Sequence, residues 1–165
     1  NIKKNHDSVS LREELEMVDT YIYILNVRFS GEIHYEKNVD EALEHISVPV
    51  MILQPVVENS VNYGIRDIGW EGKINLSVYR QDDFVYISIE DNGIGIEQDK
   101  IDKIMASELK ESDVKGDSNG IGLDNVIGRL KLYYDRDDVF EISSPGHNKG
   151  TKVIIRIPLE EEKEA

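Results

Sequence analysis

The sequence contains no cysteine among its 165 residues, so it can form neither disulfide bonds nor thiolate metal sites. It also lacks an apolar run of the roughly 20 residues that a membrane-spanning helix needs, and it shows no signal peptide. Basic residues are scarce: 19 lysines and arginines stand against 33 acidic residues, which gives a formal net charge of −14. This charge argues against a nucleic-acid surface. It does not exclude a small anionic ligand, because such a ligand needs only local donors.

The first regular pattern along the chain is helical and begins at Ser10. Apolar residues then recur at alternating spacings of four and three, which is the period of a coiled-coil seam. We call these residues the heptad seam: Leu11, Leu15, Val18, Ile22, Leu25 and Phe29. Ser10 and Glu13 form a capping box, and Gly31 marks the end of the helix. Because no second heptad helix follows, we expect the partner of the seam to lie in a missing segment or on another protomer.

From residue 32 onward the chain alternates between strand and helix patterns. A helix is predicted from about residue 49, with a kink at Pro55, and further helices over 97–106 and 121–135, separated by a polar loop at 107–119. Strands are predicted at 33–39, 73–80, 84–91, 139–144 and 151–159. This order favours an α+β fold, a two-layer sandwich in which helices cover one face of a mostly antiparallel sheet.

Asp91 ends the alternating strand "FVYISIED". Because side chains alternate across a strand, Asp91 shares a face with Ile89 and the alternate apolar residues before it. A carboxylate beside the core needs donors, which the amino group of a ligand could supply. Gly93 and Gly95 then remove side chains, so we expect the backbone to approach that ligand closely. A strand-ending turn in which the aspartate caps a backbone amide explains the segment equally well.

Polar residues interrupt the apolar helix that is predicted after residue 49. They are Glu58, Asn59 and Asn62. The amide oxygen of Asn59 could ligate a hard cation such as Mg²⁺, which favours oxygen ligands and keeps several of its waters. Taken alone, these residues are more typical of the solvated face of a helix.

Two further positions suit a ligand but are ordinary by themselves. Gly120 and Gly122 open a helix whose first free amides could hold phosphate, although a plain loop-to-helix turn would look the same. Thr151 has the parity of the core-facing residues in the last strand, so its hydroxyl could meet Asp91. A threonine in a strand is otherwise typically structural.

The order of these features is more specific than any one of them. A helix with Glu-Asn, a strand ending in Asp-x-Gly-x-Gly, a polar loop, Gly-x-Gly opening a helix and Gly-Thr opening the last strand follow one another. Together they resemble the ATP-binding domain shared by gyrase, the heat-shock chaperones, mismatch-repair ATPases and histidine kinases, the Bergerat or GHKL fold. Segments 47–65 and 120–134 look like the LytS/YesM-like group of sensor histidine kinases, and the helix at 10–29 is similar to the segment preceding the catalytic domain there.

The resemblance implies ATP as a ligand and Mg²⁺ as a cofactor. Asp91 would recognise the adenine amino group, supported by Thr151 through water, and Asn59 would hold Mg²⁺. Glu58 would orient a water or polarise the histidine that accepts the phosphoryl group. The glycines that would give the backbone freedom for base and phosphates are Gly93, Gly95, Gly120 and Gly122. Further candidates for nucleotide contact are Asn62, Arg66, Lys115 and Arg129.

The implied reaction is transfer of the ATP γ-phosphoryl group to a histidine upstream of this chain, for relay to the receiver domain of a response regulator. None of His6, His34, His45 and His147 lies in the His-Phe-x-x-Asn setting that this group uses. The sequence also begins at Asn1 rather than at methionine, so we expect a fragment of a longer protein. The resemblance implies that this fragment is cytoplasmic and that the whole protein is a membrane-anchored homodimer. Residues 1–31 would be the remnant of the dimerisation helix and linker, 32–159 the catalytic domain, and 160–165 an acidic tail.

Two alternative functions remain open from the sequence. One is an ATPase of the same fold, but the hydrolases of the family place a general-base glutamate where this chain has Pro55, which cannot accept a proton. The other is a non-catalytic module that binds nucleotide or acts through protein contacts.

Asn62 and Tyr63 depart from the lysine and histidine usual in the LytS/YesM-like group, which affects the expected phosphate contacts.

Overall fold

The computed structural model describes residues 8–29, 33–66, 68–106 and 121–159. Its strands are β1 (Ser8–Ser10), β2 (Ile33–Val39), β3 (Ser47–Pro49), β4 (Gly72–Gln81), β5 (Phe84–Asp91), β6 (Phe140–Ser143) and β7 (Thr151–Pro158). Its α-helices are α1 (Leu11–Arg28), α2 (Gln54–Asn59), α3 (Gln98–Ala106) and α4 (Ile121–Tyr134). A short 3-10 turn spans Glu41–Leu43, and a π-helix spans Ser60–Ile65 directly after α2.

The fold is built on a mixed sheet of five strands in the order β2-β4-β5-β7-β6. Strand β2 runs parallel to β4, and the other neighbouring pairs are antiparallel. One face of β4 and β5 is apolar and buried because Ile74, Leu76, Ile87 and Ile89 follow the period-two alternation of a half-covered sheet. The helices α2 and α4 cover this face, as the sandwich prediction requires.

Helix α1 begins where the sequence predicts, because the hydroxyl of Ser10 accepts a hydrogen bond from the Glu13 amide at 3.2 Å. The first four residues of its seam, however, are buried within the chain's own core. Leu11, Leu15, Val18 and Ile22 are all at most 3% exposed. For these four residues the expectation of a partner helix is therefore wrong, because they pack onto the sandwich. Phe29, the last residue of the seam, is 46% exposed, so its expected partner stays a prediction.

A second, small sheet fastens the start of α1 to the rest of the chain. Strands β1 and β3 pair antiparallel, with Ser8 opposite Pro49 and Ser10 opposite Ser47. The first two amides of α1 also donate to carbonyls of the turn before β3, Leu11 to Ile46 at 2.9 Å and Arg12 to Glu44 at 2.8 Å. These bonds satisfy helix N–H groups that have no partner inside the helix.

The helix predicted from residue 49 begins later than the sequence pattern suggests. Residues 47–49 form β3, and α2 begins at Gln54 after a turn in which Met51 has a φ of 57°. Pro55 lies in the first turn of α2, where its missing N–H breaks no intrahelical bond, so the predicted kink is absent. The remaining elements agree with the predicted pattern, apart from the polar loop at 107–119, which lies outside the described residues. Among the described helices, none has the length and apolar character to span a bilayer.

Candidate functional site

Asp91 lies where strand parity predicts it, at the end of β5 and on the helix-covered face. It is 6% exposed. In the sheet register it stands between Ile74 of β4 and Thr151 of β7. Thr151 is buried as well, so the predicted meeting of these two residues is confirmed.

The Asp91 carboxylate is held by donors from three different segments. The Gly93 amide donates to Oδ1 at 2.9 Å, and the Ser60 hydroxyl and the Thr151 backbone amide also hydrogen-bond to the carboxylate. An ionised carboxylate offers about four acceptor positions. One more donor can therefore be accommodated without displacing any of the three that are present.

Burial raises the pKa of Asp91 above the ordinary aspartate value, because desolvation penalises the charged form. The hydrogen bonds from Gly93, Ser60 and Thr151 act in the opposite direction, and the nearby charge of Glu90 adds to the increase. A buried carboxylate whose pKa is shifted and which lies beside an open cavity is a common feature of binding sites. The burial and the raised pKa of Asp91 are therefore those expected of a residue that binds a ligand.

A cavity of about 610 Å³ opens next to Asp91. Its wall combines apolar side chains with a few polar groups, as small-molecule sites do. Among its lining residues are Asn59, Tyr63, Ile94, Lys100, His147 and Thr151. Tyr63 and Lys100 lie near one another, with the ammonium nitrogen 5.8 Å from the ring centroid. The site thus presents a buried acid at one place and an asparagine and a lysine elsewhere in the same cavity.

The glycines after Asp91 are needed for contacts within the chain. A Cβ on Gly93 would lie 2.2 Å from the carbonyl oxygen of Gly64 in the π-helix, and the same oxygen accepts the Ile94 amide at 2.9 Å. Gly95 has a φ of +81°, and its Cβ would lie 2.6 Å from the Gly146 carbonyl oxygen. The glycines therefore allow a close approach between backbone segments of the chain. Their predicted close approach to a ligand stays a prediction.

Asn92, between Asp91 and Gly93, is a structural clamp. Its Oδ1 accepts the Lys73 amide at 2.7 Å, and its Nδ2 donates to the Glu71 carbonyl at 2.8 Å. The indole of Trp70 donates to the Asn92 carbonyl at 2.8 Å. These bonds tie the end of β5 to the start of β4, and they fix the segment that carries Asp91.

The neighbours Glu58 and Asn59 at the end of α2 point to different surroundings. Asn59 lines the cavity beside Asp91. Glu58 is absent from that lining, and its Oε1 accepts a hydrogen bond from Gln54 at 2.8 Å. Its charge contributes to the raised pKa of Tyr21 on α1, after the larger effect of burial, while Arg66 acts in the opposite direction. Of the two, only Asn59 can reach a ligand next to Asp91.

Several other predicted contact residues lie elsewhere. Asn62 and Arg66 line a separate cavity of about 940 Å³ between α1 and the π-helix, together with Trp70. Arg129 of α4 is directed at the backbone, and its Nη1 donates to the Met51 carbonyl at 3.4 Å. The structure therefore places none of these three side chains around Asp91, because the helix turns that carry them face other parts of the fold.

The second glycine segment is described only in part. Gly122 packs against α2, since a Cβ on it would lie 3.4 Å from the Cβ of Pro55. Gly120 and Lys115 lie outside the described residues, so their predicted contacts with phosphate stay predictions.

Sequence reasoning missed Ser60 and Lys100. Ser60 follows Asn59 directly, and its donation to Asp91 arises because the chain continues from α2 into a π-helix, whose geometry the sequence pattern did not reveal. Lys100 lies on the polar side of α3, where a basic residue is ordinarily solvated. No grouping of three or more His, Cys, Asp or Glu side chains suited to a metal ion occurs in 8–29, 33–66, 68–106 and 121–159.

The fold and the buried acid agree with a match to a known family. The family described as histidine kinase-, DNA gyrase B-, and HSP90-like ATPase matches residues 47–161, and this chain belongs to it. The mycobacterial sensor histidine kinase MprB has a similar structure, with a TM-score of 0.64 at 18% identity over 93% of this chain and 97% of that one. The predicted α+β sandwich of the Bergerat type is thereby confirmed.

Among curated proteins, the chain is similar to sensor kinases of two bacteria. It is 29% identical over 161 residues to sensor histidine kinase YesM of Bacillus subtilis (strain 168), covering 98% of this chain and 26% of the relative. It is 32% identical over 150 residues to sensor protein LytS of Oceanobacillus iheyensis, covering 91% of this chain and 25% of the relative. The chain therefore spans about a quarter of the length of these relatives, and the predicted resemblance to the LytS/YesM-like group is confirmed.

Proposed function

We propose that this chain is the ATP-binding catalytic domain of a two-component sensor histidine kinase. The observation that carries the proposal is the buried Asp91 carboxylate beside a cavity of about 610 Å³. The family match and the similarity to YesM and LytS support the same activity. In this proposal residues 1–31 end the dimerisation segment, 32–159 form the catalytic domain, and 160–165 are an acidic tail.

Asp91 reads the adenine base. The exocyclic amino group of adenine is a donor, and the carboxylate has one acceptor position left after its bonds to Gly93, Ser60 and Thr151. A charge-assisted hydrogen bond in a buried position contributes about 1.5–3 kcal/mol. Guanine would present a carbonyl oxygen at the corresponding position and would leave Asp91 facing an acceptor, so the site selects ATP over GTP.

Asn59 and Lys100 receive the phosphates. Both line the cavity that contains Asp91. The Asn59 amide oxygen would be one ligand of Mg²⁺, an ion that favours oxygen ligands and would keep several waters beside the phosphate oxygens. When bound, Mg²⁺ neutralises charge that develops on the phosphates. The cation of Lys100 offsets part of the repulsion from a chain with a net charge of −14.

The proposed reaction is phosphoryl transfer to a histidine outside this chain. The bond between the γ-phosphorus and its bridging oxygen breaks, ADP leaves with that oxygen, and a phosphorus–nitrogen bond forms on the imidazole. Glu58, which lies beside Gln54 and outside the cavity lining, is available to polarise the incoming imidazole from the α1 side. The phosphoryl group then passes to an aspartate of a response-regulator receiver domain, and the whole protein is a membrane-anchored homodimer.

An ATPase of the same fold is the principal alternative. Pro55, at the start of α2, supplies no group that could activate water, which favours transfer over hydrolysis. A non-catalytic nucleotide-binding module is the other alternative. Steady-state phosphate release by the fragment distinguishes an ATPase from a kinase. A kinase domain without its acceptor histidine should release phosphate only at a background rate.

Isothermal calorimetry with ATP, GTP and a non-hydrolysable ATP analogue tests the proposal directly. We expect binding of the adenine nucleotides, strengthened by Mg²⁺, and no comparable binding of GTP. The transfer itself is measured by adding a separate polypeptide that carries the acceptor histidine of the same protein and following its phosphorylation. Binding without transfer would support the non-catalytic module, and absence of any nucleotide binding would refute the proposal.

A further inference from the structure

Glu14 of α1 is a buried carboxylate that lies outside the nucleotide cavity. It is 2% exposed. Both of its oxygens accept backbone hydrogen bonds from one turn: Oε2 from Met51 at 3.1 Å, and Oε1 from Ile52 at 2.7 Å and Leu53 at 3.2 Å. Among the residues that the structure describes, no basic side chain forms an ion pair with it. A buried charge compensated only by backbone amides is a specific arrangement, because removal of the carboxylate leaves those amides unsatisfied.

These amides belong to the turn that leads into α2. Met51 has a φ of 57°, in the left-handed region that a non-glycine residue adopts only when other contacts hold it there. At the start of α2, Leu53 makes no side-chain capping bond, and Pro55 has no N–H. Glu14 therefore fixes the position of the turn directly before α2, including the amide of Leu53, which is the N-cap residue of that helix.

Helix α4 reaches the same turn from the other side. The Arg129 guanidinium donates to the Met51 carbonyl at 3.4 Å, and Gly122 lies against Pro55. The start of α2 is thus the place where α1 and α4 meet. Glu14 is the contribution of α1 to this junction.

The other end of α2 carries Asn59, which lines the cavity. The helix has six residues, which corresponds to about 9 Å between the turn and Asn59. Its apolar residues Val56 and Val57 are fully buried, so a displacement at one end of such a short, packed helix is carried to the other. Asp91 belongs to β5 and is held mainly by the sheet and by the Asn92 clamp. Of its three donors, only Ser60 lies next to Asn59, whereas Gly93 and Thr151 belong to the β5 end and to β7.

We propose that Glu14 is a positioning residue that sets Asn59 relative to Asp91, and so couples the placement of α1 to the phosphate end of the cavity. The inference rests on the proposed function, because it assigns Asn59 to metal and phosphate and Asp91 to the base. It makes α1 a component of the site rather than a passive connection. Movement of α1 alters metal and phosphate binding more than it alters recognition of the base, because two of the three donors to Asp91 lie outside α2 and the π-helix.

The substitution Glu14→Gln tests this coupling at constant size. The amide group of glutamine replaces one acceptor oxygen with a donor, so at least one amide of the turn at 51–53 loses its partner. Glu16→Gln is the matched control, since Glu16 is an exposed glutamate on the same helix. Both variants are compared well below their melting temperatures.

The first measurement uses metal-free protein without nucleotide. We expect the side-chain amide resonances of Asn59 in a ¹⁵N-correlated NMR spectrum to shift in Glu14→Gln and to stay in place in Glu16→Gln. The backbone amide of Gly93, which reports on Asp91, should stay in place in both. This readout tests the position of Asn59 even if the chain binds no nucleotide, so failure of the coupling and failure of the proposed function are distinguishable.

The second measurement separates the two ends of the nucleotide. In Glu14→Gln we expect the Mg²⁺ concentration for half-maximal ATP binding to rise about tenfold, the size typical of lost support around a metal ligand. Adenosine affinity without metal should remain within about twofold of the unsubstituted chain, since burial and charge at Asp91 are unchanged. An unmoved Asn59 resonance with unchanged Mg²⁺ dependence would reduce Glu14 to a structural cap, and an equal loss of adenosine binding would show general loosening. Either result overturns the proposal.

If Glu14→Gln does not fold, Met51→Gly is combined with it. Glycine adopts a φ near 57° without steric cost, so the double variant restores the turn without restoring the carboxylate. The same two measurements then apply to the double variant, with Met51→Gly alone as its control.

Discussion

Gly93 and Gly64 approach so closely that a Cβ on Gly93 would lie 2.2 Å from the Gly64 carbonyl oxygen. The contact joins the segment after Asp91 to the π-helix after Asn59, and both of these stretches contribute residues to the lining of the cavity. The π-helix is therefore held against the segment that follows the base-reading acid by direct backbone contact. A side chain at position 93 would force these segments apart.

The first prediction concerns this contact. Gly93→Ala should lower the free energy of unfolding by about 3 kcal/mol, since the added methyl meets backbone that cannot rotate away. Gly69→Ala is the control, because a Cβ there meets nothing within 4 Å. Urea denaturation of both variants measures the difference. Equal stability of the two would mean that the π-helix moves freely relative to β5.

The second prediction concerns base recognition. Asp91→Asn should weaken adenosine binding by at least about 2 kcal/mol, because an acceptor that carries charge is replaced by a group that also donates. Glu90→Gln, on the exposed face of the same strand, should bind as the unsubstituted chain does. Calorimetric titration with adenosine measures both. An Asp91→Asn variant with unchanged affinity would place base recognition elsewhere in the cavity.

The third prediction concerns pH. Burial raises the pKa of Asp91 in the folded chain, so the folded state retains this proton to a higher pH than the unfolded state does. The resulting contribution to stability is complete below the ordinary aspartate pKa of about 4 and is lost as pH rises through the raised value. The unfolding free energy of the unsubstituted chain minus that of Asp91→Asn should therefore decrease across this interval.

Nucleotide binding should show the opposite trend with pH. The adenine amino group needs the ionised acceptor, so adenosine affinity should fall as pH decreases through the raised pKa of Asp91. Denaturation curves and adenosine titrations at matched pH values provide the two measurements. If both quantities changed in the same direction, Asp91 would not be the titrating group that links them.

The fourth prediction concerns helix α1. Leu15→Ala should destabilise the domain by about 3 kcal/mol, as removal of a buried leucine side chain does. Ile24→Ala on the same helix should have little effect, because Ile24 is 56% exposed and Leu15 is 3% exposed. The comparison is made by chemical denaturation at a protein concentration where the chain is monomeric. If the two substitutions were equally mild, α1 would not share the core of the sandwich in solution.

Strand alternation was sufficient to predict the most important contact of the site. The alternation of side chains along each strand placed Asp91 and Thr151 on the covered face, and the register of β5 and β7 brings them opposite one another. The same reasoning identified the buried face of each long strand, because a half-covered sheet imposes this alternation on its sequence. The order of the motifs then indicated the family, which no single motif could do.

Local pattern was insufficient wherever the partner lies far away in the sequence. The heptad seam of α1 has the period of a coiled coil, but the same apolar stripe fits the surface of the sandwich. A repeat of apolar residues does not specify which surface covers them. The contact between Gly93 and Gly64 depends on the π-helix, which the apolar pattern does not distinguish from an α-helix. Arg66 and Asn62 face another cavity because the wider turn of the π-helix changes the direction of the side chains along it and after it.

The pairing of β1 with β3 has a mechanical consequence. It anchors the beginning of α1 through a ladder from Ser8–Pro49 to Ser10–Ser47, and the Glu14 carboxylate anchors the next turn. Sliding of the helix along its axis would break all of these bonds together, whereas the far end of α1, at Arg28, is joined by fewer of them. Those at the far end include the two bonds between Asn26 and Ile33 of β2. The first turn is therefore the part of α1 that resists axial displacement most strongly.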